Sequence, residues 1–240
     1  MELSQKIADW IKQKVTEARA KGCVLGLSGG VDSAVAALLC KKVFPKDTLA
    51  LILPCHSLSE DIKDAQKFAK KFAIQTKVID LTMVFESLFI ALAGTTYKDE
   101  MDLPIANLKP RLRMLTLYYF ANKMNYLVVG TGNRSELAMG YFTKYGDGGV
   151  DILPLGDLLK SEVKQLAEEL GVPREIVDKA PSAGLWAGQT DEGEMGITYT
   201  ELDKVLLGEL KGISQEKIDL INNRETLSRH KRALPDIFKK

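Results

Sequence analysis

Short apolar runs alternate with longer amphipathic stretches through the first half of the chain. Apolar runs with the length of buried strands occupy 23–27, 48–53, 76–79 and 126–129. Apolar residues recur at helical spacing in the stretches before and between them, which predicts helices over 3–20, 33–43, 59–72 and about 103–123. Strands that alternate with helices are typical of a parallel sheet covered on both faces. The pattern therefore predicts an α/β fold with an open, doubly wound parallel sheet.

The second half of the chain is less regular. Helices are predicted at about 160–170, 173–179, 198–208 and 214–232, so this part is expected to be helical. Two Gly-rich stretches, 141–157 and 180–197, have little periodicity but contain aromatic residues. Long loops without secondary structure are uncommon in compact domains unless they have a function or are disordered. We therefore expect 141–151 and 182–196 to be lid-like and poorly ordered without a ligand.

Composition and charge limit the class of protein. The 240 residues are 45% hydrophobic, enough for one sizeable core, and a single domain over 1–240 is expected. A net charge of +1 gives no basic field that favours nucleic acid. Cys23, Cys40 and Cys55 lie in or beside apolar runs, as buried thiols of a reducing cytoplasm do. Neither a signal peptide nor a membrane-spanning run is evident, so a cytoplasmic location is expected.

The run Ser28–Ser33, Ser-Gly-Gly-Val-Asp-Ser, carries the clearest chemical signal. It lies between a predicted strand and a predicted helix, where paired glycines and the helix N-terminus favour close approach of a phosphate. Asp32 adds a carboxylate suited to a phosphate-bound Mg²⁺, although a Gly-Gly turn with an Asp helix cap is the simpler alternative. The run lacks the Gly-Lys-Ser/Thr ending of a Walker A loop. It resembles the pyrophosphate loop of the N-type ATP pyrophosphatases, which split ATP between the α- and β-phosphates.

A second Gly-rich segment, Gly130–Glu136, follows the last predicted strand. Ser135 stands where a dinucleotide GxGxxG motif has its third glycine, which disfavours a Rossmann cofactor site. Thr131 offers a hydroxyl, and Glu136 offers a second carboxylate that could hold Mg²⁺ together with Asp32. Taken alone, Glu136 fits equally well as an acidic residue that interacts with a helix dipole.

Three segments distant in the sequence are expected to meet at one rim of the sheet. Ser28, Pro54 and Gly130 each follow a predicted strand directly. Ligands of open parallel sheets bind beyond the carboxyl ends of the strands. The sequence therefore predicts a nucleotide site at this rim.

The chain resembles the ammonia-dependent NAD synthetases over nearly its whole length. Two long loop sequences are the most specific: Tyr-Phe-Thr-Lys-Tyr-Gly-Asp-Gly-Gly within Tyr141–Pro154, and Pro-Ser-Ala-Gly-Leu-Trp-Ala-Gly-Gln-Thr-Asp-Glu within Pro181–Gly196. The other matching segments are Ser28–Ser33, Gly130–Glu136, Lys160 and His230-Lys231-Arg232. The resemblance implies a fold like that of the adenine nucleotide alpha hydrolases. It also implies a two-step reaction, in which ATP adenylates deamido-NAD and ammonia then displaces AMP to give NAD.

The resemblance implies roles for particular residues. Mg²⁺ would be held by Asp32 and Glu136, and catalysis would depend on Asp32, Lys160 and Ser182. Residues expected to bind ATP are Gly26, Leu27, Ser28, Gly29, Gly30, Val31, Asp32, Ser33, Thr131, Lys160 and Ser182. Residues expected to bind deamido-NAD are Arg111, Lys144, Asp151, His230 and Lys231, with Arg113 a competitor of Arg111. The cationic members suit a substrate with a pyrophosphate and a carboxylate.

The resemblance also bears on the nitrogen donor and on assembly. Glutamine-dependent relatives carry an additional amidase domain, and the position of Ser28 leaves no room before it for one. Free ammonia is therefore the expected donor. Family members are homodimers with the deamido-NAD site across the interface, so a homodimer is implied. The helices over 3–20 and 103–123 could supply a symmetric apolar face or simply cover the sheet.

Two other functions stay open from the residues alone. One is another N-type pyrophosphatase, such as a GMP-synthetase-like amidase or a tRNA-modifying enzyme, although the low net charge disfavours tRNA. The other is a nucleotide sensor without turnover, which the presence of Asp32, Glu136 and Lys160 disfavours. Pyrophosphate release with candidate acceptors separates these two functions from amidation of deamido-NAD. Release only with deamido-NAD supports the amidation, release with xanthylate or tRNA supports another pyrophosphatase, and nucleotide binding without release supports a sensor.

Overall fold

Residues 2–98, 102–186 and 188–239 are described by the computed structural model of the chain. A four-stranded sheet forms its centre, with strand order β3-β2-β1-β4. The strands are β1 (Gly22–Gly26), β2 (Thr48–Ile52), β3 (Gln75–Val78) and β4 (Tyr126–Val128). Every neighbouring pair is parallel, so the predicted parallel sheet is confirmed.

Helices precede, connect and follow the strands. Within the described residues they are α1 (Leu3–Glu17), α2 (Val31–Val43), α3 (Ser59–Lys71), α4 (Thr82–Ala93), α5 (Leu103–Ala106), α6 (Leu108–Met124), α7 (Arg134–Met139), α8 (Lys160–Glu169), α9 (Arg174–Val177), α10 (Asp191–Met195), α11 (Tyr199–Leu206), α12 (Gln215–Leu227) and α13 (Arg229–Arg232). No helix in these ranges combines the length and the apolar content needed to cross a bilayer.

Alternate residues of the central strands enter two cores. Cys23 and Leu25 of β1 pack on the side of α1, α2, α3 and α8, whereas Val24 packs on the side of α4 and α6. Both faces of the sheet are therefore covered, as a doubly wound sheet requires. A third cluster joins α7, α10, α11 and α12 around Met139 and Leu202, which confirms the helical carboxyl-terminal part.

Several predicted elements differ in extent from the observed ones. The predicted helix over 103–123 is divided into α5 and α6, with a turn at Asn107. The one over 214–232 is divided at Ser228, whose hydroxyl donates to the carbonyl of Arg224 and competes with the helix ladder. Helix α4 was not predicted, because its sequence is apolar on nearly every side and shows no helical period. No helix was predicted in the Gly-rich stretch 180–197, but this stretch contains the short helix α10.

The strand order reverses at β1 and β4, and the region beyond the carboxyl ends of these two strands is called the crevice below. From β1 the chain runs outward through β2 to β3, and β4 then adds to the opposite side of β1. In open α/β sheets, ligands bind where the strand order reverses in this way. Helices α2 and α7 follow β1 and β4, so both helices begin at the crevice.

Candidate active site

Serine side chains shape the loop between β1 and α2. The Ser33 hydroxyl donates to the carbonyl of Gly30 at 2.9 Å and accepts from the backbone N–H of Ser28 at 3.2 Å. Gly29 has a φ of +87°, and a Cβ there would lie 2.6 Å from the carbonyl oxygen of Asp61 on α3. The loop is therefore compact, and the N-terminus of α2 offers N–H groups at the crevice.

Three predicted site residues from separate helices form an ion cluster in this crevice. Asp32 lies in the first turn of α2, Glu136 lies on α7, and Lys160 begins α8. The Lys160 Nζ lies 2.5 Å from Asp32 Oδ2 and 3.3 Å from Glu136 Oε1. The Lys160 side chain is only 3% exposed. The structure thus brings together Asp32, Glu136 and Lys160, which are far apart in the sequence.

The cluster has unusual electrostatics because it is buried and contains like charges. Burial and the nearby Asp32 carboxylate raise the pKa of Glu136 to about 7, although Lys160 opposes the shift. Burial acts to lower the pKa of Lys160, but the carboxylates of Asp32 and Glu136 outweigh it and raise that pKa. Lys160 therefore stays charged at neutral pH.

The donor set of this cluster fits Mg²⁺ bound to a nucleotide. In nucleotide sites Mg²⁺ takes one or two carboxylates together with substrate phosphate oxygens. Asp32 and Glu136 approach the same ammonium group, and two carboxylates against one cation leave negative charge. The described parts of the chain contain no group of three or more His, Cys, Asp or Glu side chains arranged for a metal ion. Phosphate oxygens would have to complete the coordination.

Glu136 also caps the helix that carries it. One of its oxygens, Oε2, accepts from the backbone N–H of Asn133 at 3.2 Å, and Asn133 Oδ1 accepts from the N–H of Glu136 at 3.0 Å. The Asn133 amide in turn donates to Asp32 Oδ1 at 2.9 Å. The helix-terminus interpretation of Glu136 is therefore confirmed, and its other oxygen, Oε1, faces Lys160. Sequence reasoning missed Asn133, although the Asn-x-x-Glu spacing is a capping signal.

Side chains from two other helices hold the start of α8. The Ser135 hydroxyl accepts from the backbone N–H of Lys160 at 3.0 Å and donates to Asp203 Oδ1 at 2.5 Å. Asp203 Oδ2 accepts from the N–H of Ser161 at 2.9 Å. These bonds replace the capping side chain that Leu159 cannot supply. They fix the backbone from which Lys160 projects.

A tyrosine extends the cluster to a third carboxylate. The Tyr199 hydroxyl donates to Asp191 Oδ2 at 3.0 Å and lies 3.4 Å from Glu136 Oε1. Its ring centroid lies 5.0 Å from the Lys160 Nζ, within range of a cation–π contact. Burial raises the pKa of Asp191. Sequence analysis assigned no role to Asp191, although it lies in the matched segment Pro181–Gly196. It also missed Tyr199, which lies outside the matched segments.

Two other predicted ATP residues make no hydrogen bond to the ion cluster within the described residues. Thr131 is half-buried in the loop between β4 and α7. The Ser182 hydroxyl is exposed and accepts from the N–H of Gly184 at 3.1 Å. The segment that carries Ser182 is anchored by Lys179, whose Nζ lies 2.6 Å from Asp61 and 2.9 Å from Asp64 on α3. That anchor ties the segment to the helix on which Gly29 packs.

Four of the five residues predicted to bind deamido-NAD are linked by contacts. The Arg111 guanidinium lies 3.5 Å from the carbonyl of Lys144, whose ammonium donates to the carbonyl of His230 at 2.5 Å. Lys231 follows and donates to the carbonyl of Phe142 at 3.0 Å. Contacts therefore link these four residues, of which Arg111, Lys144 and Lys231 carry cationic side chains.

Asp151 is the fifth residue predicted to bind deamido-NAD, and Arg113 is the alternative to Arg111. These two residues lie in different environments. Asp151 accepts from the backbone N–H of Val128 at 2.7 Å and from the Tyr118 hydroxyl at 2.9 Å. Arg113 donates to the carbonyl of Leu53 at 3.1 Å and to Ser57 at 3.3 Å, which fixes the segment after β2. Arg111 is exposed and is the more available of the two arginines.

Comparisons with known proteins give consistent findings. The sequence profile of the family described as NAD synthase matches residues 3–235. An NH(3)-dependent NAD(+) synthetase of Carboxydothermus hydrogenoformans is 50% identical over 237 residues, which are 98% of this chain and 96% of the relative. An NMN synthetase structure from Francisella tularensis has a TM-score of 0.92 and 43% identity, covering 99% of this chain and 98% of that one. The NH3-dependent NAD synthetase of Campylobacter jejuni, in complex with the nitrate ion, has a TM-score of 0.81 and 30% identity, with 100% of both chains covered.

Proposed function

The chain belongs to the NAD synthase family, and on that premise we propose that its site amidates deamido-NAD with ammonia. ATP is the co-substrate, and the products are NAD, AMP and pyrophosphate. The observation that carries the proposal is the cluster of Asp32, Glu136 and Lys160 where the sheet reverses its strand order. It combines a phosphate-binding loop, a buried cation and two carboxylates in one crevice.

The first step makes the substrate carboxylate reactive. An oxygen of the nicotinate carboxylate attacks the α-phosphorus of ATP, the bond from that phosphorus to the bridging oxygen breaks, and pyrophosphate leaves with the electron pair. The loop Ser28–Ser33 holds the departing pyrophosphate through backbone N–H groups, and Lys160 neutralises charge at the α-phosphate. The protein contributes positioning and charge neutralisation rather than a nucleophile.

Asp32 and Glu136 would hold Mg²⁺, which supplies charge neutralisation at the phosphate oxygens when bound. The Lys160 ammonium contacts both of these carboxylates. We propose that the ammonium turns toward the α-phosphate when the substrates bind. In the second step, the nitrogen lone pair of ammonia attacks the acyl carbon, and the bond from that carbon to the AMP oxygen breaks. AMP leaves with the electron pair of that bond, and the nitrogen releases one proton to solvent to give the amide.

The linked cationic side chains of Arg111, Lys144 and Lys231, with His230 among them, support binding of the pyrophosphate of deamido-NAD. Asp151 and Ser182 stay predictions for deamido-NAD and for ATP, respectively. Three free, buried cysteines are consistent with a cytoplasmic protein.

We also propose a homodimer. Large apolar side chains of α4 and α6 are exposed on the same side of the sheet, among them Met83, Leu92, Leu115 and Tyr119. Exposed apolar patches of this kind mark interaction surfaces. A second copy of the chain is the partner that the family implies.

The test measures pyrophosphate and NAD separately, with ATP and Mg²⁺ present. We expect pyrophosphate release with deamido-NAD, and NAD formation only when ammonium is added. Asp32→Ala should abolish pyrophosphate release with the fold retained by circular dichroism, whereas Asp157→Ala, an exposed aspartate, should keep it. Full activity of Asp32→Ala at ordinary Mg²⁺, or equal turnover with glutamine as the sole nitrogen source, would contradict the proposal.

A second candidate is amidation of the corresponding mononucleotide. It is favoured by the similarity to the Francisella tularensis protein that is described as an NMN synthetase. The reacting carboxylate is the same, and the substrate lacks only the adenylate half. A higher kcat/KM with nicotinate mononucleotide than with deamido-NAD would select this candidate.

A further inference from the structure

Asp203 is a buried carboxylate outside the ion cluster of the crevice. It lies on α11, is only 5% exposed, and accepts a hydrogen bond at each of its two oxygens. The donors are the Ser135 hydroxyl at 2.5 Å and the backbone N–H of Ser161 at 2.9 Å. A carboxylate is costly to bury unless its oxygens are paired in this way. Both donors belong to α7 and α8, the helices that carry Glu136 and Lys160.

Asp203 determines how the Ser135 hydroxyl is used. A serine hydroxyl rotates and can both donate and accept, whereas an ionised carboxylate only accepts. Because the hydroxyl donates to Asp203 Oδ1, its lone pairs are left for the backbone N–H of Lys160, which donates to it at 3.0 Å. The separation of 2.5 Å is that of a charge-assisted O–H···O bond, which is stronger than a neutral one. Asp203 therefore keeps the hydroxyl in the orientation that holds Lys160.

The bond between Ser135 and the backbone of Lys160 joins two sides of the crevice. Ser135 directly precedes Glu136 on α7, and Lys160 is the first residue of α8. One hydroxyl thus ties the backbone of the residue proposed for Mg²⁺ to the backbone of the residue proposed for the α-phosphate. Asp203 Oδ2 holds the next N–H of α8, that of Ser161. Without these bonds the start of α8 is free to shift, and the Lys160 ammonium shifts with it.

We propose that Asp203 is a positioning residue for the adenylation step and acts through Ser135 on the backbone of Lys160. The inference rests on the proposed amidation. Within the described residues its hydrogen bonds go to Ser135 and Ser161, so no contact with substrate and no proton transfer are assigned to it.

A positioning role should alter the rate of adenylation more than the binding of substrates. A displacement of about 1 Å in a group that acts on the transition state can lower the rate about a hundredfold. The phosphate loop is held by the hydrogen bonds of its own Ser33, at the start of α2, so ATP binding should not depend on Asp203.

The test compares Asp203→Ala with Asp203→Asn, which keeps one acceptor oxygen for the two donors. Pyrophosphate formation is measured in a single turnover, with ATP, Mg²⁺ and deamido-NAD saturating and no ammonium, so that only adenylation is observed. We expect the rate constant to fall about tenfold or more in Asp203→Ala and by a smaller factor in Asp203→Asn. The KM values for ATP and deamido-NAD, measured at steady state with ammonium, should stay at the wild-type level.

Leu202→Val separates positioning from a general loss of stability. Leu202 precedes Asp203 on α11, is fully buried, and packs in the third cluster. Its truncation should lower the urea midpoint and leave the rate constant of adenylation unchanged. An equal fall of the rate constant in Leu202→Val and Asp203→Ala overturns the inference, because loose packing of α11 would then explain both.

Ser135→Ala keeps the test decisive if Asp203→Ala does not fold. It should lower the rate constant about as far as Asp203→Ala, and the double variant should lose no more than Asp203→Ala alone, because the two side chains act through one bond. A wild-type rate constant in either single variant overturns the inference, and so do multiplied losses in the double variant or a raised KM for ATP at an unchanged rate constant. Failure of the wild-type protein to release pyrophosphate with deamido-NAD contradicts the proposed function instead.

Discussion

Lys160 balances two carboxylates that would otherwise repel each other in the crevice. Its ammonium lies within 3.3 Å of Glu136 and closer still to Asp32. Removal of one member of a buried ion pair leaves an uncompensated charge, which destabilises a fold more than the pair itself stabilises it. The ligand-free protein should therefore depend on Lys160 for stability as well as for chemistry.

Lys160→Met should lower the free energy of unfolding of the metal-free protein by about 3 kcal/mol. Urea denaturation in the presence of a chelator measures this change. Addition of Mg²⁺ should stabilise Lys160→Met more than the wild type, because the carboxylates have lost their ammonium partner. Lys164→Met, on the same helix but without an ion pair to the described residues, serves as the control. Equal stability of the two variants would contradict the role given to Lys160.

Glu136 should make stability depend on pH. Its pKa is about 7 in the folded chain, above its ordinary value of 4.5, so the fold favours the protonated carboxyl group. The stabilising contribution is complete below about pH 4.5 and is lost as the pH rises through about 7. In metal-free protein, Glu136→Gln should flatten the fall in stability between these values, as measured by urea denaturation at each pH. Glu168→Gln, an exposed residue of α8, should leave the wild-type profile.

Helix α3, which has one polar face, was predictable from the sequence, whereas helix α4, which has none, was not. Helix α3 buries Ala65, Phe68 and Ala69 and exposes charged residues, so the predicted span 59–72 nearly equals the observed Ser59–Lys71. Helix α4 is apolar around most of its circumference, with Met83 exposed as well as Phe85 buried, and its pattern has no helical period. The periodic spacing of apolar residues reveals a helix when one side of it is polar, and α4 has no such side.

Local sequence pattern likewise predicted only some of the residues that meet in the crevice. Asp32 and Glu136 were predictable because each follows a strand, and strand ends share one rim. Asp203 was not, because its bond to Ser135 joins residues 68 positions apart and depends on how α11 packs. Tyr199 and Asp191 likewise reach the cluster only through packing of the carboxyl-terminal helices. The roles of the individual residues came from the resemblance to a family, which local pattern cannot supply.

The loop before α2 should be sensitive to a single methyl group. In Gly29→Ala, the added Cβ would lie 2.6 Å from the Asp61 carbonyl oxygen at a φ of +87°, so the loop must shift. We expect a loss of about 1–2 kcal/mol in the free energy of unfolding and a raised KM for ATP. Gly26→Ala is the stability control, because its Cβ would meet nothing within 4 Å. Wild-type stability and KM in Gly29→Ala would contradict this reading of the loop.

For the whole molecule, the apolar face of α4 and α6 predicts self-association. Leu115 is 64% exposed on α6, so a charge at that position should be tolerated by the fold of one chain. Leu115→Asp should convert a dimer to a monomer, as measured by light scattering, and should raise the KM for deamido-NAD. Leu207→Asp replaces a similarly exposed leucine outside this face and should leave the dimer intact. A monomeric wild type, or a dimeric Leu115→Asp, would contradict the proposed interface.

The placement of β4 beside β1 also governs how the protein acquires its activity during refolding. The Asn133–Asp32 bond that spans this junction joins residues 101 positions apart, whereas β1, β2 and β3 follow one another along the chain. Contacts of large sequence separation form slowly, because the loop between them must close first. After dilution from denaturant, we expect the helical circular dichroism signal to return before pyrophosphate release does. A nascent chain that has emerged only as far as β3 would accordingly carry Asp32 without its partners Asn133 and Glu136.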